Sequence, residues 1–292
     1  MPLLDAAWRE WLNFNVGRGC TPQSMVDAMV QAGFDRDGAE SAVRAAAGGS
    51  VAGSAATAGA SAGGAAAVPG TAAYVYDPAP VAAGNTIHIQ GRAVRVLMRC
   101  ERPQIIAVAD LVSPEECAEL IRRAQHRLQR STTIDPRTGQ EFVIQDRTSR
   151  GTAFLRGEDA FVDAIDQRIA ALMNWPVENG EGLQVLHYGV GGEYRPHYDY
   201  FPPEQPGSAV QMVHGGQRVA TLVLYLNDVA EGGETLFPEA GISVSARAGG
   251  AVYFRYMNGR RQLDPLTLHA GAPVRSGEKW IMTKWMRERA RP

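Results

Sequence analysis

Tyr194-Arg-Pro-His-Tyr-Asp-Tyr200 holds a histidine and an aspartate one residue apart, His197 and Asp199. Side chains alternate between the two faces of an extended strand, so residues two apart project to the same side. His197 and Asp199 can therefore present an imidazole and a carboxylate to a single metal ion. A distant third candidate, His269, completes a set of two histidines and one carboxylate. Such a set occupies one face of an octahedral iron and leaves the remaining positions open. Open positions are what an oxygen-activating centre requires, because a cosubstrate and dioxygen must both bind. Ten residues beyond His269 stands Lys279, a cation suited to a dicarboxylic cosubstrate.

His-x-Asp alone is a short motif with many chance occurrences, and the surrounding sequence gives it context. Gln184-Val-Leu-His-Tyr-Gly-Val-Gly-Gly-Glu-Tyr-Arg-Pro-His-Tyr-Asp-Tyr-Phe201 resembles the first metal-binding segment of collagen-type prolyl 4-hydroxylases. Arg218-Val-Ala-Thr-Leu-Val-Leu-Tyr-Leu-Asn227 and Gly232-Gly-Glu-Thr-Leu-Phe-Pro238 are similar to that family's next segments. His269-Ala-Gly-Ala-Pro-Val-Arg-Ser-Gly-Glu-Lys-Trp280 carries its histidine and lysine at the family separation. Arg147-Thr-Ser149 and Glu178-Asn-Gly-Glu-Gly182 match further parts, so the resemblance runs from about Pro103 to the C-terminus.

The resemblance implies Fe(II), with 2-oxoglutarate and dioxygen as cosubstrates and ascorbate as reductant. His197, Asp199 and His269 are then the metal ligands and the catalytic centre. Lys279, Tyr188 and Thr235 bind the oxoacid, with Lys279 on its far carboxylate. Tyr194 and Trp285 match aromatic positions lining a peptide groove, and Glu181 and Arg218 match polar positions that contact the peptide backbone. The implied reaction is hydroxylation of a prolyl residue in a peptide or protein. Alternatives are the same chemistry on a free amino acid or another side chain, or an idle metal-binding domain serving as an interaction protein.

The remaining histidines read differently. His187 falls on the strand face opposite Tyr188 and reads as structural. His214 lies in the glycine-rich Val213-His-Gly-Gly-Gln217, a poorer support for a ligand than a strand. Strand alternation places Lys279, Ile281, Thr283 and Trp285 on one face. A lysine there ordinarily keeps its ammonium in solvent, whereas the cosubstrate reading buries it and needs an anion for it.

The chain has 292 residues, 45% of them hydrophobic, enough for one large core and a small accessory unit. A formal net charge of −2 argues against a nucleic-acid-binding surface. Cys20, Cys100 and Cys117 form no Cys-x-x-Cys motif, no leader is signalled, and no stretch is long and apolar enough for a bilayer span. A cytoplasmic location without membrane or nucleic-acid partners is the expectation.

Residues 1–47 alternate apolar and polar positions at helical spacing. Trp8, Trp11 and Leu12 share one helix face, and Thr21-Pro22 caps a second helix with Met25, Met29 and Val30. A turn at Gly33-Phe34 precedes a third helix near Ala39 to Ala46. The pattern weakly resembles ubiquitin-associated-type three-helix modules, which implies a protein partner; a helical extension of the catalytic domain is the other reading. Residues 48–73 are almost wholly Ala, Gly, Ser and Thr, a flexible linker. Residues 74–292 form the catalytic domain.

That domain opens with strands near Thr86–Val96 and Gln104–Val108. Ser113-Pro-Glu-Glu116 is a capping box starting a helix to about Gln129, and a second helix spans Asp159–Met173. Short strands follow at Leu183–Tyr188, Val219–Leu226, Ile242–Ala246, Ala251–Tyr256, Leu266–His269 and Lys279–Met286. The segment from Phe201 to Gly216 reads as a loop over the groove. The fold class is α+β: a double-stranded β-helix, or jelly roll, with supporting helices and a small N-terminal all-α module.

Overall fold

The computed structural model describes residues 4, 8, 9, 12, 16, 21–31, 34–48, 73–135, 137–144 and 146–290. Contacts divide the chain into Met1–Ala67 and Val68–Pro292. In the first unit, helices Pro22–Gln31 and Arg36–Gly48 bury Met25, Val26, Met29, Ala39 and Val43 together with Leu12 and Phe34. Trp8 meets Phe34 edge-on at 5.0 Å. Trp11, Gly33 and nearly all of the expected linker lie outside the described residues.

In the second unit nine strands build one antiparallel sheet. At its centre Leu183–Tyr188, Lys279–Arg287, Arg218–Tyr225 and Ala251–Arg255 lie side by side in that order. A four-stranded sheet carries Tyr194–His197, His269–Gly271, Thr235–Phe237 and Ile242–Val244. Numbered along the chain, these eight strands give the orders 1-8-3-6 and 2-7-4-5. First strand pairs with last, as a rolled-up pair of Greek keys requires, so the core is a jelly roll.

Alternation along the large sheet separates two apolar layers. Leu183, Val185, Leu222, Leu224 and Met282 point to the helix side, against Cys117 and Leu120 of helix Pro114–Ala124 and Ile165 and Ile169 of helix Ala160–Met173. Burying each of these aliphatic side chains contributes roughly 1.5–3 kcal/mol. Leu186, Tyr188, Val223, Tyr225 and Ile281 point the other way, toward Phe237 and Val274 of the roll. The sheet thus has a helix-backed face and a barrel-interior face, and Leu186, Tyr188, Val223 and Ile281 of the second face line the cavity inside the roll.

Both helices start as their sequences dictate. Ser113 Oγ accepts from the Glu116 amide, and Glu116 returns a bond to the Ser113 amide. Asp159 caps Phe161 and Val162 through one carboxylate oxygen. The first helix, however, ends at Ala124 and not near Gln129, because Gln129 and Arg130 pair with Gly151 and Arg150 at the sheet edge. Two further expectations change. Leu266–His269 is no strand; a 3-10 turn, Pro265–Thr267, leads into strand His269–Gly271. The segment after Phe201 contains a helix, Pro206–Met212, begun by proline at its first position. No helix among the described residues is long and apolar enough to cross a membrane.

Candidate active site

His197 ends strand Tyr194–His197, and His269 is its cross-strand partner at the start of His269–Gly271. Asp199 lies just beyond the strand, in a bend, and not on it as expected. It still reaches the same side: its Oδ1 is 3.7 Å from His197 Nε2 and its Oδ2 3.6 Å from His269 Nε2. One donor atom from each residue lies within 4.8 Å of the others, the only such cluster of three among the described residues.

Each histidine is oriented by its own backbone. His197 Nδ1 meets the Arg195 carbonyl at 2.8 Å, and His269 Nδ1 meets the Thr267 carbonyl at 3.1 Å. A carbonyl only accepts, so Nδ1 carries the proton and Nε2 keeps its lone pair for a metal. Burial first, and then His269, pushes His197 down to about 3, which keeps it neutral. Burial would raise Asp199, but the two histidines, Arg218 and the Thr221 hydroxyl outweigh it and hold the carboxyl below its ordinary range. Thr221 Oγ1 donates to Asp199 Oδ2 at 2.6 Å, which leaves the Tyr256 hydroxyl, 3.1 Å away, to donate to Thr221.

Lys279 lies opposite Tyr188 in the strand register, 3% exposed, with Nζ 5.6 Å from the Tyr188 ring centre. No ion-pair partner meets its ammonium among the described residues. Burial pushes it down to about 8, opposed by the field of Glu234. Thr235 is buried nearby on the facing sheet and accepts from the Tyr225 hydroxyl at 2.8 Å, so its own proton is free to donate. Burial raises the Tyr188 hydroxyl and keeps it a donor.

On the opposite flank, Arg218 binds Glu181 through two nitrogens at 2.7 and 3.0 Å, and Arg287 shares the same carboxylate at 2.6 Å. Arg218 also stacks 4.0 Å over the Trp285 ring, while Tyr194 stacks on His197 at 3.6 Å. All ten candidate residues, and the Lys279–Ile281–Thr283–Trp285 face, line one cavity of about 520 Å³. His214 is exposed on the turn after helix Pro206–Met212 and stands outside the cluster. His187 bonds Glu278 at 2.8 Å on the other face.

Two contributors carry little local signal in the sequence. Thr221 sits in an apolar strand where a β-branched residue needs no polar reason. In the sequence Arg147 is only part of a motif; in the fold it is buried, donates to the Thr132 carbonyl and Gln184, and faces the Tyr194 ring.

Residues 183–287 match the 2OG-Fe(II) oxygenase superfamily, the class this roll and donor set define. The chain is 42% identical over 203 residues to Probable prolyl 4-hydroxylase 3 of Arabidopsis thaliana, covering 63% of this chain and 69% of that protein. It is 43% identical over 203 residues to Prolyl 4-hydroxylase 1 of the same plant, covering 64% and 70%. Among solved structures, the 2OG complex of viral collagen prolyl hydroxylase from Paramecium Bursaria Chlorella virus-1 is 30% identical, with a TM-score of 0.49, over 63% of this chain and 95% of that one. The chain belongs to the prolyl 4-hydroxylase family of Fe(II)- and 2-oxoglutarate-dependent dioxygenases. Its residues fit both groups: two imidazoles and a carboxylate for iron, and a buried, unpaired ammonium for a dicarboxylate.

Proposed function

We propose that this chain hydroxylates prolyl residues in a peptide or protein, releasing succinate and carbon dioxide. The carrying observation is a single cavity that joins the His-Asp-His cluster, a buried cation and a rim of aromatic and guanidinium groups. His197, Asp199 and His269 hold Fe(II), which when bound couples decarboxylation of 2-oxoglutarate by dioxygen to insertion of oxygen into a C–H bond. Lys279 neutralises the far carboxylate, Thr235 donates its free proton to the same group, and Tyr188 donates to the oxoacid. The apolar Ile281 and Leu186 beside them keep water from the site. Tyr194 and Trp285 offer aromatic surface to an extended proline-containing chain, and Arg218, held rigid by Glu181, presents a donor to its backbone carbonyls. Ascorbate serves as reductant.

Residues 1–47 act as an all-α docking module for a protein partner, 48–73 as its tether and 74–292 as the catalytic domain. The Ala, Gly and Ser content of the tether and the apolar cluster around Met29 support this division. A cytoplasmic location rests on cysteine usage.

Turnover of 2-oxoglutarate to succinate, with a panel of proline-rich peptides and free proline read by mass spectrometry, tests the reading. It expects succinate formation stimulated by peptide and one oxygen atom gained on a prolyl residue. Stimulation by free proline alone would favour the amino-acid substrate. Iron binding without any turnover would leave an idle interaction domain.

A further inference from the structure

Both ligand-bearing segments converge on the 3-10 turn Pro265–Thr267. The Thr267 carbonyl accepts from His269 Nδ1 at 3.1 Å. The Pro265 carbonyl accepts from the hydroxyl of Tyr198, the residue between His197 and Asp199, at 3.3 Å. One short turn therefore touches both halves of the metal cluster. Asp264, fully buried, builds that turn: its Oδ1 accepts from the Leu266 amide at 3.0 Å, and its carbonyl accepts from Thr267 Oγ1 at 2.7 Å. Its amide donates to the Tyr256 carbonyl at 2.8 Å.

The outer side of this assembly is held by residues from the opposite end of the domain. Asp77 Oδ2 accepts from the Gly259 amide at 2.6 Å and from Arg255 at 3.0 Å. The Val75 carbonyl accepts from Asn258 Nδ2 at 2.8 Å, and the Val75 amide donates to Gln262 Oε1 at 3.1 Å across 187 positions of sequence. Gln262 Nε2 also reaches the Ala73 carbonyl at 3.2 Å. Tyr76 completes the contact: burial, and then the Asp264 carboxylate beside it, raises its hydroxyl above the ordinary range. Residues 73–77 thus clamp the 258–264 segment directly before the turn that aims His269.

We propose that residues 73–77 are a positioning strap for the metal centre, holding the Pro265–Thr267 turn so that the Thr267 carbonyl fixes the tautomer and direction of His269. The proposal rests on the His197-Asp199-His269 reading of the metal site. Partners that orient a ligating histidine typically change metal affinity by about 10–100-fold when lost. The strap acts one step further out, so its loss falls at the lower end of that range.

The test uses the full chain, with Mn(II) as a redox-inert probe titrated into metal-free protein and followed by electron paramagnetic resonance. Asp77→Ala is expected to weaken Mn(II) binding roughly tenfold, at the low end of such outer-partner effects. Asp77→Asn, which keeps an oxygen acceptor for the Gly259 amide, should restore affinity to within about twofold on the same scale. The thermal midpoint of each metal-free variant is measured beside Arg95→Ala, which breaks the exposed Arg95–Asp110 pair elsewhere. A lowered midpoint with unchanged Mn(II) affinity would make the strap merely structural and overturn the proposal. If Asp77→Ala fails to fold, Gln262→Ala removes the links to the Val75 amide and the Ala73 carbonyl while leaving Asp77 in place, and unchanged affinity there overturns it equally. His269→Ala is the separate control: full Mn(II) binding by that variant would sink the ligand assignment itself.

Discussion

Replacing Lys279 by methionine removes the buried ammonium while keeping most of its apolar stem. Burial holds this lysine at about 8 in the absence of an anion, against an ordinary value of 10.5. At pH 7 roughly nine-tenths of the free protein therefore carries the charge, and at pH 9 roughly one-tenth does. Binding of the 2-oxoglutarate far carboxylate selects the charged form, so wild-type affinity for 2-oxoglutarate should fall about tenfold from pH 7 to pH 9. A hydrogen bond to a charged group contributes about 1.5–3 kcal/mol, so Lys279→Met should bind roughly tenfold to a hundredfold more weakly at pH 7. Its affinity should then be flat between pH 7 and pH 9. Isothermal titration of 2-oxoglutarate into the Mn(II) protein, at several pH values in both forms, measures this directly. The stability sign is opposite. Because the folded lysine lies below its ordinary value, the unfolded chain binds the extra proton between about 8 and 10.5, so the ligand-free domain gains stability as pH rises through that window. A wild-type affinity independent of pH, or a methionine variant binding as tightly as wild type, would refute the burial argument.

His197→Ala, Asp199→Ala and His269→Ala should each abolish metal binding and turnover, while His214→Ala is silent in both assays. Thr221→Val removes the hydroxyl that donates to Asp199 and should weaken metal binding about tenfold, read by the same Mn(II) titration. Limited proteolysis should cut within residues 48–73 and release a stable C-terminal fragment. A chain beginning at Tyr74 should hydroxylate a short peptide at nearly the full rate, whereas one beginning at Pro80 lacks Val75 and Asp77 and should bind metal more weakly.

Period-two alternation made the site legible wherever a strand is regular. It placed Lys279, Ile281, Thr283 and Trp285 on one face, and that face lines the cavity. It also separated Tyr188 from His187, which the sheet sends to opposite sides. Legibility failed where tertiary contacts override local pattern. Gln125-His126-Arg127 contains no helix breaker, yet pairing of Gln129 and Arg130 with the sheet stops the helix at Ala124. Asp199 reaches the cluster from a bend, because Thr221 and Arg218 on the neighbouring sheet hold its carboxylate and its carbonyl. The mutual pairing of Glu181 with Arg218 and Arg287, and the clamp of Asp77 on Gly259, join residues far apart in sequence and leave no local signature.

Isotopic labelling shows whether the cavity delivers oxygen to a prolyl side chain. Wild-type protein is supplied with Fe(II), 2-oxoglutarate, a proline-rich peptide and oxygen-18 dioxygen, and the peptide and succinate are weighed by mass spectrometry. One heavy oxygen on a prolyl residue is expected for each heavy oxygen in succinate, and neither product from Lys279→Met at limiting 2-oxoglutarate. Labelled succinate with the peptide's prolines unchanged would contradict it.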